Sequence, residues 1–351
     1  MKRILITGAG GAPGNNFIRS LRDAPEDLYI VGTDIDRYHL EWPNVDKAYL
    51  VPICTEPDYI EVINQIIEKE SIDFIHPQPD VEVRVLSEKR EEINTAYFLP
   101  NKQTIRTLQN KLESARMWKS KGLHTRPTFV VNTPEDIKEA AEKLGLPLWM
   151  RATKGAGARG STLVTNIDTG IHWLKYWRSR NSDWKFIVQT YLPGRDYAFQ
   201  SIWKDGELIT SQARERLEYI YPYLAPSGRT GTPIVAVTVH RDELNEVATK
   251  CIRAVDPKAS GIFCVDLREN EDGNLIPTEV NAGRFFTTSY FFTKAGINMP
   301  YYYVKLGLGE SNPDLPQYNS VPAGLYWIRH IDCPAVLVKE GEFRCMDLRK
   351  I

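Results

Sequence analysis

The first 34 residues do most to limit the fold. Arg3-Ile4-Leu5-Ile6-Thr7 is an apolar run of strand length. It ends in a glycine-rich turn, Gly8-Ala9-Gly10-Gly11-Ala12-Pro13-Gly14, that leads into a helix expected from about Asn15. Leu28-Tyr29-Ile30-Val31-Gly32-Thr33-Asp34 is a second such run, closing on an acid. Residues 59–70 read as a helix and Ile72-Asp73-Phe74-Ile75-His76-Pro77 as a further strand. Apolar strands that alternate with helices imply a parallel sheet with both faces covered. The turn looks like a dinucleotide fingerprint, with Asp34 placed for a ribose. Its spacing, Gly8-x-Gly10-x-x-Pro13-Gly14, departs from the strict pattern. Glycines at such a turn also let a helix sit close on a strand, so both readings stand.

A chain of 351 residues suffices for two or three domains, each burying a core. A hydrophobic share of 42% with 25% charged residues is that of a soluble globular protein. The net charge of -1 gives no reason to expect nucleic acid as a partner. No run is long and apolar enough to cross a membrane, and the apolar start stops too early for a signal peptide. The five cysteines are far apart and match no zinc or CxxC spacing, which fits reduced thiols in a cytoplasmic protein.

Two later stretches carry chemistry. Val265-Asp266-Leu267-Arg268 and Glu279-Val280-Asn281 read as the two strands of a hairpin, joined by the turn Asn270-Glu271-Asp272-Gly273-Asn274. Glu279 and Asn281 are two apart and so share a face. Oxygens of Asp266, Glu279 and Asn281 are suited to Mg²⁺, which also takes phosphate oxygens and water. That combination points to a nucleotide. The second stretch is Arg151-Ala152-Thr153-Lys154-Gly155-Ala156-Gly157-Ala158-Arg159-Gly160-Ser161, which follows the strand Leu148-Trp149-Met150-Arg151-Ala152. Backbone amides freed by glycine wrap phosphate oxygens, and Arg or Lys neutralises their charge. It is not a Walker loop, because no Gly-Lys-Ser/Thr closes it; a solvated surface loop is the plain alternative.

In order along the chain, these pieces resemble the ATP-grasp superfamily, and in particular the synthetase lobes of carbamoyl phosphate synthase large subunits. The resemblance covers nearly the whole sequence. It implies a mixed α/β and α+β fold with an N-terminal Rossmann-like preATP-grasp domain in residues 1–105. A small lobe with the glycine-rich lid would follow in residues 106–187, and a large lobe with the metal residues in 188–351. The cofactors implied are ATP and Mg²⁺, with Mn²⁺ as a substitute ion. Lys111 and Arg151 would contact phosphates, and Lys154, Gly155, Gly157 and Ser161 would close over them. Gln189, Thr190, Tyr191 and Leu192 would hold adenine, with Gln189 where the family often has Glu, and Asp196 would bind ribose. Asp266, Glu279 and Asn281 match the metal residues. The usual Glu-x-Asn-Pro-Arg is here Glu279-Val280-Asn281-Ala282-Gly283-Arg284, without Pro and with one extra residue.

The resemblance further implies an ADP-forming carboxylate–amine ligase acting through an acyl phosphate. Arg284, Lys154 and Arg214 are the candidate catalytic cations. Arg214 and Arg216 alternate along a strand, and with Ser227, Gly228 and Arg229 they are candidates to grip a substrate carboxylate or phosphate; surface pairing with Glu215 and Glu218 is the alternative. A small-molecule kinase on the same fold and a non-catalytic nucleotide-binding subunit remain open. The partners expected are a small carboxylate and an amine, without nucleic acid or membrane. The aromatic runs Tyr290-Phe291-Phe292 and Tyr301-Tyr302-Tyr303 suit core plus a homodimer contact.

Overall fold

In the computed structural model, residues 1–155, 160–225, 228, 230–331 and 333–342 are described. The first sheet is parallel and four-stranded: β1 (Lys2–Thr7), β2 (Leu28–Asp34), β3 (Lys47–Leu50) and β4 (Phe74–Pro77), in the order β3-β2-β1-β4. Ile4 pairs with Ile30 on one side and Phe74 on the other, so the apolar start of the chain is the sheet centre. Helix α1 (Ala12–Arg22) starts three residues before Asn15, because Pro13 fits the first turn, where its missing N–H is no loss. α2 (Tyr59–Lys69) and α3 (Asp80–Glu88) complete this unit. A Cβ on Gly14 would lie 2.3 Å from the Gly8 carbonyl oxygen, and one on Gly10 would lie 2.4 Å from the His39 Cβ. Close packing of the helix start on Gly8, and of the turn on His39, therefore requires glycine at positions 14 and 10.

Two capped helices lead out of this unit. Asn101 accepts from the Thr104 N–H at 2.8 Å to start α4 (Lys102–Leu108). Asn110 accepts from the Leu112 N–H at 3.1 Å to start α5 (Lys111–Ser120).

The second sheet is antiparallel. It holds β5 (Thr128–Val131), β6 (Leu148–Ala152), β7 (Thr162–Val164) and β8 (Phe186–Thr190), ordered β5-β8-β6-β7. α6 (Pro134–Leu144), with a Thr133–Asp136 capping box, and α7 (Ile167–Arg180) cover it. The seven-stranded third sheet has the order β13-β12-β9-β10-β11-β14-β15. Its strands are β9 (Asp196–Lys204), β10 (Glu207–Tyr219), β11 (Pro233–Val239), β12 (Gly261–Glu269), β13 (Leu275–Ala282), β14 (Leu325–His330) and β15 (Cys333–Lys339). α8 (Asp242–Val255), α9 (Tyr290–Ala295) and α10 (Met299–Gly307) pack on it. The expected junctions at 105/106 and 187/188 fall inside α4 and β8, so the pairing of β8 with β5 and β6 carries the second sheet on to Thr190.

The cores say which parts are packed together. Leu5 and Ile75 of the first sheet share one apolar cluster with Phe199 and Val265 of the third. The second sheet keeps its own cluster, around Ile137, Met150, Leu174 and Phe186. The second sheet thus has an apolar core of its own, while the first and third sheets share one. The aromatic runs serve this packing: Tyr303 donates to the Phe98 carbonyl at 2.7 Å, Tyr290 to Asp23 at 2.9 Å and Tyr301 to Glu26 at 2.7 Å. Among the described residues no helix is long and apolar enough to cross a membrane.

Candidate active site

Asp266 on β12 and Glu279 on β13 are direct partners in an antiparallel ladder, and Cys264 pairs with Asn281. The register then slips: Leu267 faces Pro277, which leaves Thr278 as an extra residue on β13. Such a bulge tolerates Pro277, which has no N–H to give, and turns the Thr278 carbonyl out of the ladder. Arg151, at the end of β6 on the small lobe, donates to that carbonyl. The bulge thus ties the two lobes beside Glu279.

Like charges directly opposite each other in a ladder repel. Here cations from other elements compensate them. Lys111 Nζ lies 3.4 Å from Glu279 Oε2, and Arg151 Nη1 lies 3.7 Å from it. Arg216 Nη2 lies 2.6 Å from Asp266, while its Nη1 lies 3.2 Å from Asp196. Arg284 donates to the Asn281 side-chain oxygen and forms a two-pronged ion pair with Asp80, at the first turn of α3. Gly283 makes this reach possible. It takes φ of 81°, which L side chains rarely adopt, and it absorbs the extra residue before Arg284.

The electrostatics follow from this wiring. Burial would raise the Glu279 pKa, but Lys111, Arg151 and Arg284 together pull it well below the ordinary carboxylate range. Burial raises Asp266, with Arg216 opposing and the Glu279 charge adding to the rise. Burial lowers Arg214 to about 9, helped by the like charge of Arg216. Arg126 is pushed down by burial and by Arg151 and Arg268.

All of these groups line one cleft of about 1130 Å³, more than a typical small-molecule pocket offers. Lys111, Arg151, Lys154, Gly155, Ser161, Tyr191, Leu192, Asp196, Arg214, Asp266, Glu279, Asn281 and Arg284 are brought together there. Lys111 Nζ also donates to the Gly155 carbonyl at 2.8 Å, tying α5 to the start of the loop. Asp196 is held by Arg216 and by the Tyr219 hydroxyl at 2.7 Å. Gln189 and Thr190 are not part of the lining. The Gln189 amide donates to Thr128 Oγ1 at 2.8 Å, and the Thr190 carbonyl accepts from Arg126 at 3.4 Å. Gly157, Arg159, Ser227 and Arg229 lie outside the described residues. His76 is buried, stacked on Phe17 at 4.1 Å, and His240 meets the Val321 carbonyl at 2.7 Å, so both are structural.

Sequence reasoning missed Asp80, Gln78 and Arg126, which also line the cleft. For Arg126 the one signal was a cation directly ahead of a strand. Among the described residues no three His, Cys, Asp or Glu side chains cluster as a metal site. Two carboxylates and one amide oxygen leave half of an octahedral Mg²⁺ shell to phosphate and water, which fits an ion that arrives with a nucleotide.

The N-terminal domain of PylC-like proteins, as a family, matches residues 4–97. Over 334 residues the chain is 21% identical to a carbamoyl phosphate synthase large chain of Pyrococcus furiosus, covering 90% of this chain and 31% of the relative. Over 342 residues it is 24% identical to the mitochondrial arginine-specific large chain of Neurospora crassa, covering 90% and 28%. The chain therefore spans under a third of the length of these relatives. Among solved structures, an L-amino acid ligase from Bacillus licheniformis superposes with a TM-score of 0.72 at 14% identity, covering 93% of this chain and 80% of that one. The ADP complex of N5-carboxyaminoimidazole synthetase from Staphylococcus aureus gives 0.70 at 18%, covering 93% and 82%. A biotin carboxylase from Campylobacter jejuni, bound to an ATP analogue, gives 0.72 at 17%, covering 93% and 74%.

Proposed function

We propose, from the premise that this chain has the ATP-grasp fold and resembles carbamoyl phosphate synthase large chains, that it is an ADP-forming carboxylate–amine ligase. The observation that carries this is the convergence on Glu279. Lys111 from α5, Arg151 from β6 and Arg284, held by Asp80 of the N-terminal unit, all meet at the β12–β13 hairpin in one cleft. That is a concentration of opposed charges suited to a metal-bound polyphosphate.

Asp266, Glu279 and Asn281 would hold Mg²⁺, which when bound neutralises the β and γ phosphates. Lys111 and Arg151 release Glu279 and turn to phosphate oxygens. Tyr191 and Leu192, with Arg268 stacked 5.3 Å over the Tyr191 ring, wall the base. Lys154, Gly155 and Ser161 border the phosphate end, where closure of the small lobe excludes water. An oxygen of the acid attacks the γ phosphorus, and the bond to the bridging oxygen breaks, so that the electron pair leaves with ADP. The amine nitrogen then attacks the acyl carbon, and inorganic phosphate departs as the amine proton is lost. Arg284, fixed by Asp80 and Asn281, faces the negative charge that develops on the acyl oxygen.

A panel of acids and amines tests this. ADP release that needs both an acid and an amine supports the ligase, whereas AMP release contradicts it. A stable phosphorylated product in phosphorus NMR, with no amine consumed, would select a kinase instead.

A further inference from the structure

Among the described residues Arg214 stands in the cleft without an ion-pair partner. It is 1% exposed, at the middle of β10. Its Nη1 makes one long hydrogen bond, 3.4 Å to the Thr288 carbonyl, and its Nε has no partner. Arg216, two residues on, is held by ion pairs to Asp196 and Asp266, although its Nε is also without a partner. Among the described residues no carboxylate lies within ion-pair distance of Arg214. The rings of Phe286 and Phe292, 4.8 and 5.6 Å from its guanidinium carbon, compensate only in part. The hydroxyl of Thr288, whose carbonyl takes that bond, is buried and also without a partner among the described residues. A buried guanidinium with open donors is costly unless an anion reaches it.

The seat is rigid and belongs to the acceptor end. Gln78 donates to the Phe285 carbonyl at 2.9 Å and Asn16 to the Thr287 carbonyl at 2.6 Å, so the N-terminal unit pins the segment that carries Phe286 and Thr288. Arg126, a buried arginine of the cleft that also has no ion pair among the described residues, lies instead beside the Thr190 carbonyl. Arg284 already serves the reacting carboxylate next to Asn281. That carboxylate passes its charge to the phosphoryl group when it is activated, so it would not keep Arg214 neutralised. A non-reacting carboxylate would do so throughout.

We propose that the acid substrate carries a second carboxylate, bound by Arg214 and the Thr288 hydroxyl against the Phe286 ring. This rests on the ligase reading above and deepens it: the substrate class is a dicarboxylic acid, with or without an amino group.

The experiment is calorimetry on the full chain with Mg²⁺ and a non-hydrolysable ATP analogue present. The probes are succinate, glutarate, adipate, aspartate and glutamate, set against butyrate and hexanoate. At least one dicarboxylate should bind about tenfold or more tightly than the monocarboxylates, the scale of charge-assisted hydrogen bonds. Arg214→Gln should remove that preference, Arg214→Lys should keep part of it, and neither should change affinity for the analogue. Without ligand, Arg214→Gln should not lower the thermal midpoint; a fall would mark Arg214 as a structural stacking partner and overturn the proposal. Equal binding of mono- and dicarboxylates, equal weakening of both by Arg214→Gln, or no dicarboxylate binding would overturn it while the nucleotide site stands. Failure of the analogue itself to bind would overturn both.

Discussion

Asp80→Asn isolates how the N-terminal unit serves the chemistry. The Asp80 carboxylate meets Arg284 at Nε and, 3.1 Å away, at Nη2, and the two side chains are 27% and 15% exposed. Removing one partner of a fully buried ion pair costs about 3–5 kcal/mol. A fully exposed pair is worth about 0–1 kcal/mol. The partial exposure here places the loss near 2 kcal/mol. Burial disfavours the Arg284 charge and the Asp80 carboxylate more than offsets it, so the variant also loosens the guanidinium. Deleting a donor that faces developing charge costs about 100-fold in rate. Arg284 keeps its bond to Asn281 in the variant, so a fall of about tenfold in kcat is expected. Urea denaturation reads the first number and steady-state ADP release the second. Calorimetry should show analogue affinity within about twofold of wild type, because the change touches positioning only. An unchanged kcat, or a loss of affinity equal to the loss in kcat, would refute the positioning role.

Three further outcomes are expected. Burial lowers His76 to about 4 from 6.5, so its contribution is present above pH 6.5 and lost as pH falls to 4, whereas buried Glu82, raised to about 7 from 4.5, contributes below pH 4.5 and is lost as pH rises to 7. Each limb is on the order of 3 kcal/mol, so the two oppose each other in wild type. In denaturation across pH 4.5–6.5, Glu82→Gln should lose stability on acidification and His76→Gln on alkalinisation; identical profiles would contradict this. Gly14→Ala should cost about 2–3 kcal/mol in urea denaturation, since its Cβ would meet the Gly8 backbone oxygen rather than a yielding side chain. Arg126→Gln should weaken analogue binding by about tenfold or more with little change in stability, because among the described residues its buried guanidinium has no ion pair to lose.

The parts of the fold that rest on local pattern were legible. The apolar run of β1, the capping asparagines at 101 and 110, and the hairpin joining Asp266 to Glu279 all depend on neighbours close in sequence. The ordered cations at 111, 151 and 284 were legible because their places relative to strands and loops resemble a family. What escaped depends on distant partners. Asp80 and Arg284 are 204 residues apart, and nothing near either one signals the other. The alternation of Arg214 and Arg216 was visible, but their different fates come from Asp196 and Asp266 on β9 and β12. Gln189 was assigned to adenine by its match to a family position that often holds Glu; its amide nitrogen donates to Thr128 on the adjacent strand β5, which the sequence did not signal, and its Oε1 has no partner among the described residues. The bulge at Thr278 is a register slip, which Pro277 permits but does not dictate.

The central claim is that Glu279 anchors a metal-bound nucleotide. Calorimetric titration with a non-hydrolysable ATP analogue, with and without Mg²⁺, in wild type and Glu279→Gln tests it most directly. The account predicts binding that Mg²⁺ strengthens in wild type, and a variant that folds but loses most of the Mg²⁺-dependent gain. Binding equally tight in the variant, or no binding by wild type under any condition, would contradict it.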